Sequence, residues 1–535
     1  MRIAFFSPNV SILPHFSAEI RLARILRRNK ANEIEFLTCG SFFAKDCTIS
    51  RYLGLTIRNS AEVNQNACSQ CSKVSKVADL KRNFQHHELN EFSTSVDEAI
   101  FINCREAIKR DPLNFSYNGI NFGRIAAYEL ILEFKKSTLV FEEEQLETLN
   151  NFVENSLRTY LAALRYLSKY NPDRIIIFNA QYGVCASFAR AAAEKGIRVD
   201  VLSFSNVLSE MYQYIRLWEW RKFKIVNPGL EAWQGERITA NLFEKFRISR
   251  NLKMIRNASS PWTYSAPASG INIRKFFKIA QEKKIVLAVM NSLDEHFAAM
   301  VSELMPESFA SMKVFENQEE WIQGLSQYLS TYEDVVLIVR PHPREFPNKR
   351  EKVLAEITKS RGEFLAKLHS KVIVDYPELG VPIEDYFSEV VAITTGWSSV
   401  GIEWQMRGKL CVSYDSSLPM YPPETHMTGR TREQYFGNIE KVIMGLVDDP
   451  DYYTRNATSW YIYSNFKGTV RLGSSILSEL YLGDMLKKTR LLGALNRYFP
   501  KFRIWLDLHS IGLFPNKKRI LKYFSSNSTS FLSNP

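Results

Sequence analysis

Val335-Val336-Leu337-Ile338-Val339-Arg340-Pro341-His342-Pro343-Arg344-Glu345 is the stretch on which the reading of the fold turns. Its five leading residues are apolar and largely β-branched, the pattern of a parallel strand buried on both faces. Pro341 and Pro343 end that strand, since each removes a backbone donor and fixes φ. The chain therefore leaves the sheet with Arg340, His342 and Arg344 at or near the strand's carboxyl end, the edge at which open α/β sheets bind ligands. Three cationic or hydrogen-bonding side chains on a proline-stiffened turn suit a phosphate-bearing ligand. A plain basic surface turn has the same composition.

Further along, Val390-Val391-Ala392-Ile393-Thr394-Thr395 is another buried strand, Gly396-Trp397-Ser398-Ser399 its exit turn, and Val400-Gly401-Ile402-Glu403-Trp404 the start of a helix. Ser398 or Ser399 is a natural N-cap. Free amides at the positive end of the helix dipole make an anion site, to which the hydroxyls add donors. Glu403 stands about one helical turn beyond Ser399 on the same side, where a carboxylate accepts hydrogen bonds from ribose hydroxyls. An ordinary capped helix with a first-turn acid reads the same way. Two such turns at carboxyl ends within one half favour ligand binding.

Working outward, strands over 284–290, 371–374 and 410–414 complete an α/β series with those over 335–339 and 390–395. Near the N-terminus, a strand over 1–7, a loop over 8–16, a helix opening at Ser17-Ala18-Glu19-Ile20 and a strand over 33–39 form a Rossmann-like opening. No period is sustained from Cys39 to about Lys76, and 77–170 reads as mainly helical. Strands over 174–179 and 198–204 flank a helix over 184–195, so Asn179 and Gln181 stand at another strand-to-helix junction. From Asn227 to Gly270 the strand rhythm lapses around several prolines. The predicted fold is α/β: two Rossmann-like domains facing a cleft, with a helical insertion in the first and a helical C-terminal tail. The predicted domains are 1–226, with cysteine-bearing and helical insertions, a connector over 227–270, a nucleotide-binding domain over 271–470, and a basic-aromatic tail over 471–535.

At 535 residues the chain is too long for one core, and 45% hydrophobic with 24% charged residues is a soluble globular composition. No apolar run reaches the ~20 residues of a membrane-spanning helix, and the apolar start is too short for a signal peptide. Cytoplasmic residence is expected. The formal charge of +12 concentrates late: Lys487, Lys488, Arg490, Arg497, Lys501, Arg503, Lys517, Lys518, Arg519 and Lys522 are interleaved with Phe499, Phe502, Trp505 and Phe514. That mixture fits an anionic membrane surface at the inner face of the plasma membrane, or a solvated helical tail packed by its aromatics. Nucleic acid is not expected, because no recognition motif accompanies the charge. Of seven cysteines, Cys39, Cys47, Cys68 and Cys71 cluster early. Cys68-Ser69-Gln70-Cys71 has the spacing that lets two thiolates share a structural zinc or iron–sulfur centre, with Cys39 and Cys47 completing it; ordinary reduced cysteines are the alternative.

The sequence also resembles a known group. Asn291-Ser292-Leu293-Asp294-Glu295-His296 after a strand, Arg340-Pro341-His342-Pro343, and Gly396 through Glu403 followed by Gly408-Lys409 are similar to the capsule-polysaccharide and lipopolysaccharide glycosyltransferases of bacteria. These include Kdo-transferase-like and polysialyltransferase-like enzymes of the GT-B fold. The resemblance is good over 284–414 and looser over 1–39 and 174–204. It implies that His342, Ser398 and Ser399 hold the donor's phosphates, with Gly396 in the same turn and Glu403 on the ribose side. Trp397 departs from the pattern, which has a small residue there; its ring could stack on a base or sugar, or narrow the pocket.

The chemistry implied is displacement at an anomeric carbon, with a nucleotide leaving as an anion stabilised by fixed donors. The donor is a nucleotide sugar, CMP-linked sugars among the candidates, and the acceptor a surface polysaccharide or lipid-linked saccharide. No Asp-x-Asp triplet stands at a strand end, so no catalytic metal or cofactor is called for; His342 and the helix start, aided by Arg340, take that part. The acceptor needs a base. His15 and Glu19 are the candidates, from the loop after the first strand, with Asp294 and Glu295 as alternatives. Rival readings are a polyol-phosphate transferase of the teichoic-acid type, a nucleotide-sugar 2-epimerase and a non-catalytic polysaccharide assembly factor.

Overall fold

A computed structural model describes residues 1–43, 47, 60–211, 213–220, 228–258, 263–305, 314–348, 352–416, 418, 420–472 and 516–532. Two sheets organise them. The first contains β1 (Arg2–Ser7), β2 (Glu33–Thr38), β3 (Gln85–Glu88), β4 (Arg174–Phe178), β5 (Arg198–Phe204) and β6 (Tyr214–Glu219). The second contains β7 (Lys284–Val289), β8 (Val335–Arg340), β9 (Val372–Val374), β10 (Val390–Thr395), β11 (Cys411–Ser413) and β12 (Met427–Thr428). A last strand, β13 (Val470–Arg471), returns to the first sheet.

Strand order in the first sheet is β13-β6-β5-β4-β1-β2-β3, and in the second β9-β8-β7-β10-β11-β12. The second sheet is parallel throughout; in the first, β6 and β13 pair antiparallel. Both are doubly wound, the architecture of the GT-B type. The winding reverses between β1 and β4 in one sheet and between β7 and β10 in the other. Such reversals open a crevice at the strands' carboxyl ends.

The central strands are apolar along their length because both faces are covered. In the first half, α4 (Phe122–Phe134), α5 (Glu143–Tyr170) and α6 (Gly183–Glu194) pack one face. The other face is covered by α1 (Leu13–Arg27), part of α2 (Ser60–Ala78) and α13 (Lys517–Ser525). The second sheet lies between α9 (Gln318–Ser330) with α11 (Arg432–Met444) and a layer holding Ile273, Tyr386 and Trp404. The halves are not separate cores: Ala298, Ala299 and Val301 of α8 (Asp294–Val301) join the core of the first half.

Several expectations are corrected. The loop over 8–16 is shorter than read, because α1 begins at Leu13 with Pro14 in its first turn, where a missing N–H costs nothing. Helix α2 occupies much of the stretch read as lacking a period. The connector is not all irregular: it contains α7 (Leu242–Arg256), capped by Asn241 with Glu244 in a capping box. Leu242, Phe243 and Phe246 point outward while Arg247, Asn251 and Met254 are buried, so apolar periodicity gives no sign of it. In the tail, 473–515 and 533–535 lie outside the described residues, including every basic residue named before Lys517. The aromatics named for a membrane surface, Phe499, Phe502, Trp505 and Phe514, lie among those undescribed residues; in the described part Ile520, Tyr523 and Phe524 are buried in the first half's core. Tyr523 donates to Asp200 and accepts from Arg198, both at 2.8 Å. Among the described residues no helix is long and apolar enough to cross a membrane.

Candidate functional site at the two sheet crevices

In the second half the crevice lies between the exits of β7 and β10, and Asn291 ties them together. Its Oδ1 accepts from Thr395 Oγ1 and from the Trp397 amide, each at 3.3 Å. Its own backbone exchanges two hydrogen bonds with the Gln318 side chain, at 2.7 and 3.0 Å. Across the gap His296 stacks on Trp397, ring centroids 5.3 Å apart and planes 26° from parallel. Gly396 is required because a Cβ there would lie 2.8 Å from the Tyr414 hydroxyl. Ser398 caps α10 (Ser399–Gln405), its Oγ accepting from Val400 N at 3.4 Å. Ser399 is exposed and hydrogen-bonds Glu403, whose carboxyl is pushed up to about 7 by burial, with Glu384 adding to the rise. The turn thus presents two hydroxyls and a carboxyl balanced between its charge states at neutral pH.

The neighbouring β8 turn behaves differently from its sequence. Arg340, expected to aid phosphate binding, is buried and paired with Asp375, and Nη2 donates to Val381 O at 2.7 Å. Its charge is committed to a buried carboxylate rather than offered to a ligand. Arg344 is equally occupied: it donates to Asp294 Oδ2 at 2.8 Å, to the Tyr264 hydroxyl at 2.7 Å and to Leu132 O at 3.3 Å. That bond holds the Asp294 carboxylate, an alternative base on sequence, in a buried ion pair. His342 is half-buried and caps the turn Pro343–Glu345, its Nδ1 accepting from Arg344 N at 3.2 Å. Burial, and after it the cations Arg344, Arg361, Arg340 and Lys135, lower its pKa to about 3. His342 is therefore neutral at pH 7, and acceptance at Nδ1 places its proton on Nε2.

In the first half the crevice lies between the exits of β1 and β4. His15, on the first turn of α1, stacks on Phe178 at 4.0 Å, and burial lowers its pKa to about 4. Glu19 lies beneath the crevice: it is 3% exposed, accepts from Ser7 Oγ at 2.7 Å, and burial pushes its carboxyl up to about 8. At neutral pH it is mostly protonated, the wrong state for a base. Gln181 accepts from the Tyr128 hydroxyl at 2.8 Å, and Glu129 accepts from the Gly183 amide at 2.9 Å. The structure thus gathers His342, Ser398, Ser399 and Glu403 at the second sheet's carboxyl edge, and His15 with Glu19 at the first's.

Burial raises the Cys39 and Cys71 thiols, and Cys71 Sγ donates to Ser11 Oγ at 3.5 Å. Among the described residues, Cys39, Cys47, Cys68 and Cys71 included, no group of three or more His, Cys, Asp or Glu side chains is disposed to hold a metal ion.

Sequence reasoning missed Asn291 as the tie between exits, Tyr264, whose ring meets His342 edge-on at 5.8 Å, and Glu129. Glu129 had a signal: it is an acid inside the apolar run Ile125–Leu132 of a helix. Tyr264 had none, standing in a connector without period.

No family model matches the chain, and no curated protein does either. Among solved structures it is similar to the Thermosulfurimonas dismutans KpsC β-Kdo 2,4-transferase, at 15% identity over 50% of this chain and 76% of that one, with a TM-score of 0.32. The calicheamicin glycosyltransferase CalG4 aligns at 10% identity over 93% of this chain and 99% of its own, TM-score 0.26. The Neisseria meningitidis UDP-GlcNAc 2-epimerase, bound to UDP-GlcNAc, aligns at 11% over 91% and 100%, TM-score 0.25. At such scores none of them bears on function, and the reading rests on the site itself.

Proposed function

We propose that this chain is a nucleotide-sugar-dependent glycosyltransferase acting on a surface polysaccharide or lipid-linked acceptor. The observation that carries the reading is the crevice between β7 and β10: a winding reversal whose rim presents Ser398, Ser399, Glu403 and Trp397, beside a histidine held neutral with its proton on Nε2. In this reading His342 Nε2–H and the two serine hydroxyls donate to the donor's phosphate oxygens. Glu403 accepts from ribose hydroxyls, and the exposed part of Trp397 receives a flat ring.

As the bond from the anomeric carbon to the phosphate oxygen breaks, the electron pair leaves with the nucleotide. Donors fixed in a partly dry crevice stabilise that charge without reorganising. A neutral histidine serves here as a directed donor rather than as a counter-ion. The acceptor oxygen attacks from the first half's crevice and loses its proton to a base there.

A thermal-shift panel of CMP, CDP, UDP and GDP tests the reading. One of them should raise the melting temperature of the purified protein, and no response to any would remove the proposal. A 2-epimerase would bind the same ligands but return the sugar still attached to its nucleotide.

A further inference from the structure

The first half contains a small pocket of mixed polar and apolar lining that the phosphate-side chemistry leaves unused. It lies at the amino end of α6, where Glu129, Asn155, Ser156 and Gly183 line it together with the apolar Phe43, Phe152 and Val184. Glu129 comes from α4, Asn155 and Ser156 from α5. The Gly183 amide donates to Glu129 Oε1 at 2.9 Å, and the positive end of the 12-residue α6 favours negative charge at that oxygen.

Ser156 supplies an independent sign of a ligand. It is fully buried, yet its Oγ has no hydrogen-bond partner among the described residues. An unmade hydrogen bond in a protein interior is costly, and an incoming hydroxyl would satisfy it. Gly183 keeps the space open, because a Cβ at that position would lie 2.9 Å from Ser156 Oγ. The pocket is narrow and takes a single hydroxyl rather than a sugar ring.

Its place in the molecule is also telling. Burial raises the Tyr128 and Tyr182 hydroxyls, and each also feels the charges of Glu129, of Glu295 and of Arg344. Glu295 and Arg344 belong to the second half, and Arg344 donates to Leu132 O at 3.3 Å on the same helix, α4, as Glu129, so Glu129 stands where the two halves meet, near the β8 turn that carries His342. Glu19 has no such position, being buried under Ser7.

We infer that this pocket receives the acceptor hydroxyl and that Glu129 is the general base that deprotonates it; the inference rests on the glycosyltransferase reading above. The acceptor's O–H proton passes to the Glu129 carboxylate as its oxygen bonds to the anomeric carbon. The carbon–phosphate oxygen bond breaks with its electron pair on the leaving nucleotide. Glycoside, nucleotide and protonated Glu129 result, and the carboxylic acid returns its proton to solvent. Ser156 positions the hydroxyl by one hydrogen bond.

The test uses the full-length chain and nucleotide release from UDP-, GDP-, CDP- and CMP-linked sugars, with water and added glycerol as acceptors. E129Q retains an acceptor for the Gly183 amide and should fold and bind nucleotide like the parent. Its turnover should fall about a hundredfold or more, the scale of a lost general base. S156A leaves Glu129 in place and should lower turnover severalfold with nucleotide affinity unchanged, which keeps the inference testable should E129Q fold poorly. An active parent matched within a few-fold by E129Q, or by S156A if E129Q is unfolded, overturns the inference alone. A parent inactive toward every donor overturns the underlying reading and this inference with it.

Discussion

Replacing His342 by asparagine separates its two roles. Nδ1 caps the Pro343–Glu345 turn by accepting from Arg344 N at 3.2 Å, and asparagine is among the best residues at such a cap. H342N therefore preserves the turn while deleting the Nε2–H donor. H342A deletes both and should also lower the melting point of the free protein, since a lost cap costs about 1 kcal/mol; the half-buried ring makes an unchanged melting point, the natural expectation for an exposed turn, untenable. Ligand at a hundred times its dissociation constant stabilises the parent by ~2.7 kcal/mol, a shift of roughly 5–11 °C for a chain half of this size at about 2–4 °C per kcal/mol. A hydrogen bond to a charged phosphate contributes ~1.5–3 kcal/mol. Losing about 2 kcal/mol weakens binding roughly 30-fold, which leaves about 0.9 kcal/mol of stabilisation at the same ligand concentration. The melting shift should thus fall to about a third, and calorimetric titration should show the weaker affinity directly. Binding of nucleotide by H342N as tight as the parent's would refute the assignment of Nε2–H to a phosphate.

E19Q should be at least as stable as the parent at pH 7. Glu19 is raised to about 8, so the folded state holds a proton that the unfolded state releases above ~4.3, and stability falls as pH rises from there through 8. The difference between E19Q and parent urea-melting curves should grow across that window, and a difference independent of pH would count against it. R340M should cost about 3–5 kcal/mol by stranding Asp375 in the interior, and it should show as a lower urea midpoint. Near-parental stability would mean the pair is not buried as described. Y523F removes a hydroxyl shared between Asp200 and Arg198, so it should destabilise by about 1–3 kcal/mol; an unchanged melting temperature would argue that α13 is not part of the first half's core.

The strands that are buried on both faces were legible, because continuous β-branched runs such as 335–339 and 390–395 have few other readings. Edge elements were not: β3 is Gln-His-His-Glu, and β13 spans only Val470–Arg471. Helix α7 stayed hidden because its buried positions are polar. At the site, the turns and their serines could be read from spacing, whereas the fate of the charges could not. Arg340 and Arg344 looked available because nothing local pairs with them; Asp375 and Asp294, brought in by other segments, do. Glu19 stood at the expected edge, but only packing shows that burial keeps it protonated, against the opposing hydrogen bond from Ser7.

The central claim is transfer of a sugar, and mass analysis of the products from a nucleotide-sugar panel tests it most directly. The account predicts a released nucleotide together with an acceptor heavier by one sugar and no phosphate. A sugar phosphate on the acceptor, an epimerised sugar still bound to its nucleotide, or no release from any donor would contradict it.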